Sequence, residues 1–268
     1  MSAPREGRRP GLSRLLGRAL RISFATRAAY RGDLLVSLLV TLLLEAITPL
    51  VTVLAYGAGA RFPGWSMHEA LLVQGTFLLA RGVAYPCFFG MVWTVFEQVR
   101  EGTFELTLLK PRSPLLVTLV QSLDVQGVGQ LLGGSVLFGW AVAHVPPPGP
   151  IAVLLFVALL ALAVAVLFAI ALFMAGSLFV WVGNGRVLEV SEAVMLFAQY
   201  PGSIYGRAFR VVVATAVPVS MIAFLPAQAL LARAEPLTAV AAVCSLGFLG
   251  AALLFWRAML RRYAGGGG

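Results

Sequence analysis

The sequence predicts an all-α integral membrane protein with six transmembrane helices, an N-terminal amphipathic surface helix and both termini in the cytoplasm. Three observations predict it. Of 268 residues, 60% are apolar and 12% are charged, against roughly a quarter charged in a soluble domain. The apolar residues fall in runs that reach the ~20 residues a spanning helix needs. The basic residues are also one-sided. Fifteen of the 20 lie in segments assigned to the inner side, and Arg61 and Arg233 lie outside, the bias that orients membrane proteins. This composition excludes a soluble enzyme and a disordered chain.

Residues 1–10 form a basic, disordered tail. The stretch 11–33 reads as a helix lying on the membrane surface. Arg14, Arg18 and Arg21 share one face, and Leu12, Leu16, Ala19 and Ile22 line another. Such a helix turns its arginines toward anionic lipid headgroups; a plain positive-inside anchor is the simpler alternative. The basic start is too long, and the first apolar run too extended, for a cleavable signal peptide. Spans follow near 34–56, 70–96, 115–143 and 151–182, then near 208–231 and 236–258. The stretch 187–206 is ambiguous, because Glu189, Glu192 and Pro201 interrupt it. It reads as an interfacial helix with 208–231 as span five. The alternative makes 187–205 span five and 208–231 a broken re-entrant hairpin, tolerated only where protein or a water-filled cavity covers it. Residues 264–268 are a flexible glycine tail.

Three charges fall inside spans: Glu45, Arg81 and Asp124. Each costs roughly 2.5–3.5 kcal/mol near the bilayer centre, so a partner is expected. Glu45 and Arg81 each stand 11 residues into antiparallel spans, which puts both near mid-depth and predicts a pair, either structural or part of a polar cargo path. Asp124 lies nearer the inner side and can cap or snorkel. Gly129 and Gly133 make a G-x-x-x-G pair for close helix packing, within the subunit or across an interface.

Several chemistries are absent. Lys110 is the sole lysine and Pro111 follows it, so no P-loop exists and ATP is not hydrolysed by that machinery. No G-x-S-x-G is present. His68 and His144 sit in or beside separate outer loops without acidic neighbours at ligand spacing, which argues against a metal centre. Cys87 and Cys244 lie in apolar stretches and form no paired-cysteine pattern. No basic-aromatic module stands outside the apolar segments, so nucleic acid is not an expected partner.

The segment 97–114 is the most polar internal stretch. As one helix it puts Glu97, Glu101 and Glu105 on a single face at i, i+4, i+8, ended by Pro111 and Pro114. On spacing alone it is either a solvated connector or a surface that a soluble partner pushes. Glu101-Gly102-Thr103-Phe104-Glu105 followed by Leu108-Leu109-Lys110-Pro111-Arg112-Ser113-Pro114 resembles the G-T-[LF]-[DE]-x-L-L-L-x-P-x-S-P signature of ABC-2 type transporter permeases. Tyr200 to Tyr205, the stretch from Pro218 to Ala227, and the ending Trp256 to Tyr263 resemble further elements of a branch of that family whose substrate is unknown.

The resemblance implies a six-helix permease subunit of an exporter in a bacterial cell membrane. It implies a second permease, identical or homologous, and a separate ATP-binding cassette ATPase that carries the ATP and Mg²⁺, leaving no cofactor and no catalysis on this chain. It also implies that Glu97, Arg100, Glu101, Gly102, Thr103, Phe104, Glu105, Lys110 and Pro111 belong to the ATPase-coupling segment. A stand-alone channel or secondary carrier, or a non-transporting scaffold, is the rival reading.

Overall fold

The computed structural model describes residues 31–123, 128–181 and 195–263, with isolated positions 17, 189 and 193. The expectations for Arg14, Arg18, Arg21 and Asp124, for nearly all of the surface helix and for most of 182–194 fall outside the described residues, whereas 195–206 is described. Among those described the chain is helical throughout, with no strand.

Helix α1 is Arg31–Gly57 and α2 is Met67–Ala84. A five-residue π turn at Tyr85–Phe89, where Pro86 stands, carries α2 into α3, Met91–Arg100. The run Met67–Arg100 holds 34 residues, about 50 Å of helix against a hydrocarbon core of about 30 Å. Then come α4, Phe104–Leu108, and α5, Pro114–Gln121, with α6, Val128–Ala143, beyond. Helix α7 is Pro150–Ser177. Two short helices, α8 (Arg207–Thr215) and α9 (Phe224–Leu230), flank a 3-10 turn at Val219–Met221, and α10 is Pro236–Arg262. Proline opens α5, α7 and α10 at the first helical position, where its missing N–H is not needed.

Four stretches are long and apolar enough to cross a membrane: α1, the α2–α3 run, α7 and α10. Two expected spans differ from that form. The stretch 208–231 is not one helix. Pro218 ends the first piece, and Pro226 fits in the first turn of α9, where a free N–H is spare anyway. From Val219 to Leu230 every residue is buried, so this part of the broken stretch is covered by protein, as irregular backbone at membrane depth must be, whereas α8 leaves Phe209, Val211 and Val212 exposed. The stretch 115–143 is likewise divided, with α5 ending at Gln121 and α6 beginning at Val128.

The bundle has two ends. At one, Phe62 meets Tyr200, Trp65 meets Phe224, and His68 stacks on His144. Ser66 and Glu69 form a capping box on α2, and Arg233 reaches the same Glu69 carboxylate at 2.6 Å. At the other, Phe104 meets Phe179 and Tyr263. Helix α1 begins and α10 finishes at this Phe104 end.

Helices α2 and α6 pack most closely of all, by glycine. A Cβ on Gly75 would stand 2.8 Å from Phe138 Cα, one on Gly82 2.5 Å from Leu131 Cα, and one on Gly134 2.8 Å from the Leu78 carbonyl carbon. Gly75 and Gly82 are seven residues apart on one face of α2, so one heptad brings both backbones against α6. The G-x-x-x-G glycines face α1 instead: Gly129 toward Thr41 and Gly133 toward Leu42. Both glycine contacts therefore lie within the subunit.

Candidate functional site

The segment 97–114 is a corner, not the single helix that the spacing of its acidic residues suggests. Helix α3 stops because Gly102 adopts φ +70°, a left-handed conformation that only glycine enters freely. Thr103 N then donates to Gln98 O at 2.8 Å and Gly102 N to Val99 O at 3.2 Å, the paired bonds of a Schellman ending. Glu97, Glu101 and Glu105 therefore do not share one helix face: Glu97 is on α3, Glu101 in the turn and Glu105 on α4. The sequence signal for this ending was Gly102 itself.

Gln98 holds the corner together. Besides the Thr103 amide, its side chain accepts from Thr107 Oγ1 at 3.2 Å and donates to Gln121 Oε1 at 3.3 Å, tying α3, α4 and α5. Ser113 caps α5 through Leu116 N. The outer side of the corner carries Glu97, Arg100, Glu101, Gly102, Glu105, Lys110 and Pro111, all exposed, with Thr103 half-buried. Beside them stand Leu106 and Leu109, 63% and 80% exposed, an apolar pair that sequence reasoning missed. Phe104 points the other way and is wholly buried. Burial, and then the Glu105 carboxylate, push the Tyr263 phenol above its ordinary pKa, so that ring is neutral at pH 7.

The second cluster is inside the bundle. Arg81 Nη1 lies 3.4 Å from Glu45 Oε1, and Gln130 Nε2 donates to the same oxygen at 2.8 Å. Arg81 Nη2 donates to Tyr85 Oη at 2.8 Å, and the guanidinium lies over the Phe77 and Tyr85 rings. One heptad away, Gln74 Nε2 donates to Thr52 Oγ1 at 2.7 Å. The antiparallel register is exact to the residue: seven positions on from Glu45 is Thr52, and seven back from Arg81 is Gln74. Pro49 lies between the layers and supplies no N–H to the Glu45 carbonyl four residues earlier. An apolar cavity of about 480 Å³ opens beside Glu45 between α1 and α6, lined by Leu42, Pro49, Leu132, Val136 and Trp140. Sequence spacing anticipated the Glu45–Arg81 contact; it did not find Gln130, Tyr85 or the Thr52–Gln74 layer.

His68 and His144, read as separate loop residues, come together with ring centroids 4.9 Å apart and planes 9° from parallel, beside Trp140. Among the described residues no group of three or more His, Cys, Asp or Glu side chains is placed to hold a metal ion.

A family profile described as ABC-2 family transporter protein matches residues 42–267. The chain belongs to that family. No curated protein and no solved structure gave a significant match. As an ABC-2 family transporter protein it is a membrane component of transport, and its long apolar helices accord with a multi-pass membrane protein. The profile takes in both the 97–114 corner and the Glu45–Arg81 layer.

Proposed function

We propose that this ABC-2 family member is the permease subunit of an ATP-driven exporter in a bacterial cell membrane. A separate ATP-binding cassette subunit binds and hydrolyses Mg-ATP, and a second permease, identical or homologous, completes the membrane dimer. This chain takes no cofactor and catalyses no reaction; its substrate is moved, not transformed. The basic stretch 11–33 rests on anionic lipid through Arg14, Arg18 and Arg21, a role argued from the sequence.

The observation that carries the reading is the two-sided α3–α4 corner. It exposes Leu106 and Leu109 together with Arg100, Glu101, Glu105 and Lys110, a mix of apolar and charged surface suited to a protein partner. It stands at the end where α1 starts and α10 stops, and the inner position follows from the basic residues gathered there.

The path proposed has six crossings with both termini cytoplasmic. In support, Phe179 stands with Phe104 at one end while Tyr200 stands with Phe62 at the other. This favours 187–205 as the fifth crossing and the α8–α9 region as the broken re-entrant piece.

The test is affinity capture of the full chain in mild detergent from its native host. A P-loop ATPase should co-purify and be lost on E101K/E105K reversal, while maleimide should label a cysteine at position 105 only from the inner side. Labelling from outside, or substrate flux in nucleotide-free proteoliposomes, would overturn the reading and favour a carrier that works alone.

A further inference from the structure

Phe104 and its neighbours carry an inference about how the corner is connected to the bundle. On α4 and its C-cap the exposed Leu106 and Leu109 face out, while Phe104 is 0% exposed. Its ring stands 4.8 Å from Phe179 at 61° and 5.4 Å from Tyr263 at 76°. Phe179 in turn meets Trp256 at 5.1 Å and Tyr263 at 5.5 Å, again edge to face. Four rings from three places in the chain, α4, the turn after α7 and the end of α10, thus close on one another. Edge-to-face packing prefers a defined orientation, so these rings resist sliding more than an aliphatic cluster of the same area. Helices α7 and α10 are already joined along their length, with Phe173 against Phe248 and Phe255, and Gly176 against the Phe255 ring.

We propose that Phe104, Phe179, Trp256 and Tyr263 form an aromatic clamp that passes displacement of α4 to α7 and α10 together. Phe179, Trp256 and Tyr263 are then positioning residues for coupling, acting through Phe104. Two inner attachments of the corner stand out among the described residues. Gln98 ties it to its own hairpin, α3 and α5, and Phe104 ties it to α7 and α10, which are remote in sequence. Without the second attachment, a push on Leu106 and Leu109 would tilt α4 about Gly102 and stop there. The inference rests on reading 97–114 as the ATPase contact.

The test has two arms, both using the full chain in lipid nanodiscs. The first needs no partner. Amide hydrogen exchange is followed in wild type, Phe104→Ala and Tyr263→Ala. Loss of the ring contacts should raise exchange over 257–263 in Phe104→Ala, and over 104–108 in Tyr263→Ala, by about tenfold, with 67–80 unchanged. Tyr263→Phe should behave as wild type, because Tyr263 Oη has no hydrogen-bond partner among the described residues. If Phe104→Ala does not fold, Phe104→Leu keeps most of the volume without the ring and should shift exchange the same way. The second arm adds the co-purified ATPase. ATP with vanadate should change exchange over 236–245 in wild type and not in Phe104→Leu, while the ATPase remains bound to both. Unchanged exchange over 257–263 in the Phe104 variants, or an intact vanadate response in Phe104→Leu, overturns the clamp. If wild type captures no ATPase, the coupling reading itself fails, and the first arm still decides whether the rings join α4 to α10.

Discussion

The α1–α2–α6 side and the Phe104 end are held by different forces. Along α1, α2 and α6 the contacts are glycine backbones and two polar layers, Glu45–Arg81–Gln130 and Thr52–Gln74. At the Phe104 end they are chiefly aromatic edges and a Schellman turn, with the Gln98 hydrogen bonds inside the corner. The medium explains the contrast. Lipid is as apolar as leucine, so burying leucine between two spans gains little. Close approach and hydrogen bonds must specify which helices meet. The α2–α3 run, at 34 residues, is long enough to reach past a hydrocarbon core, and outside that core removing aromatic area from water is itself a driving force. Helix α1 shows the consequence. Leu35, Leu39, Leu43, Leu50 and Leu54 are all more than half exposed, and α1 is held by its few polar and glycine contacts.

If that is right, the largest loss should come from breaking the charged layer. Arg81→Leu leaves Glu45, part-buried beside Gln130, with no cation. Removing one partner of a buried pair typically costs about 3–5 kcal/mol. The expected result is a matching fall in unfolding free energy, measured by steric trapping in bicelles. Glu45→Arg combined with Arg81→Glu should recover part of it, since the pair is restored in reverse. Equal loss in both singles and the swap would show that the environment, including Gln130 and Tyr85, recognises each charge separately.

Next in size is the glycine seam. Gly82→Ala puts a Cβ 2.5 Å from Leu131 Cα, a backbone atom that cannot rotate away, so α2 and α6 must part. Overpacking of this kind costs about 1–3 kcal/mol. Gly139→Ala on the same α6 helix meets nothing within 4 Å and should be neutral or stabilising by up to about 1 kcal/mol, the helix-propensity difference. Thermal unfolding of the two variants in one detergent gives the comparison directly; similar melting temperatures would mean that the seam is looser than its geometry.

The two regions were not equally legible in the sequence. Helices α1, α7 and α10 could be read because each is a long apolar run, and length and composition suffice for a span. The Glu45–Arg81 contact could be read because equal depth in antiparallel spans is arithmetic. The glycine seam could not: Gly75 and Gly82 stand seven apart, outside the G-x-x-x-G pattern, and Gly134, which meets Leu78 across the same seam, is not one of that motif's glycines. The break in 208–231 was signalled by Pro218 and Pro226, but apolar content outweighed them, since a buried irregular piece and a lipid-facing helix are equally apolar. The capping box of Ser66 and Glu69 was written as S-x-x-E just before an apolar run. At the corner, acidic periodicity suggested one helix where Gly102 makes two. Ring contacts from Phe104 to Phe179 and Tyr263 join residues 75 and 159 positions apart, and no local pattern announces them.

The smallest expected effect separates hydrogen bonding from packing on the α1 side. Gln74 Oε1 is buried without a partner among the described residues, so Gln74 already relies on its bond to Thr52. Thr52→Val keeps the shape of the side chain and removes that bond. In water-soluble cores an orphaned amide would cost more, but hydrogen bonds between membrane helices average about 0.6 kcal/mol, because the unfolded chain in lipid also finds partners. Thr52→Val should therefore lower stability by about that amount, and adding Gln74→Leu should return most of it, since an apolar pair leaves nothing unsatisfied. A double variant less stable than Thr52→Val alone would mean that Gln74 bonds elsewhere. The second polar layer would then have to be redrawn around that other partner, and the contrast with the aromatic end would rest on the glycines and the Glu45–Arg81 pair.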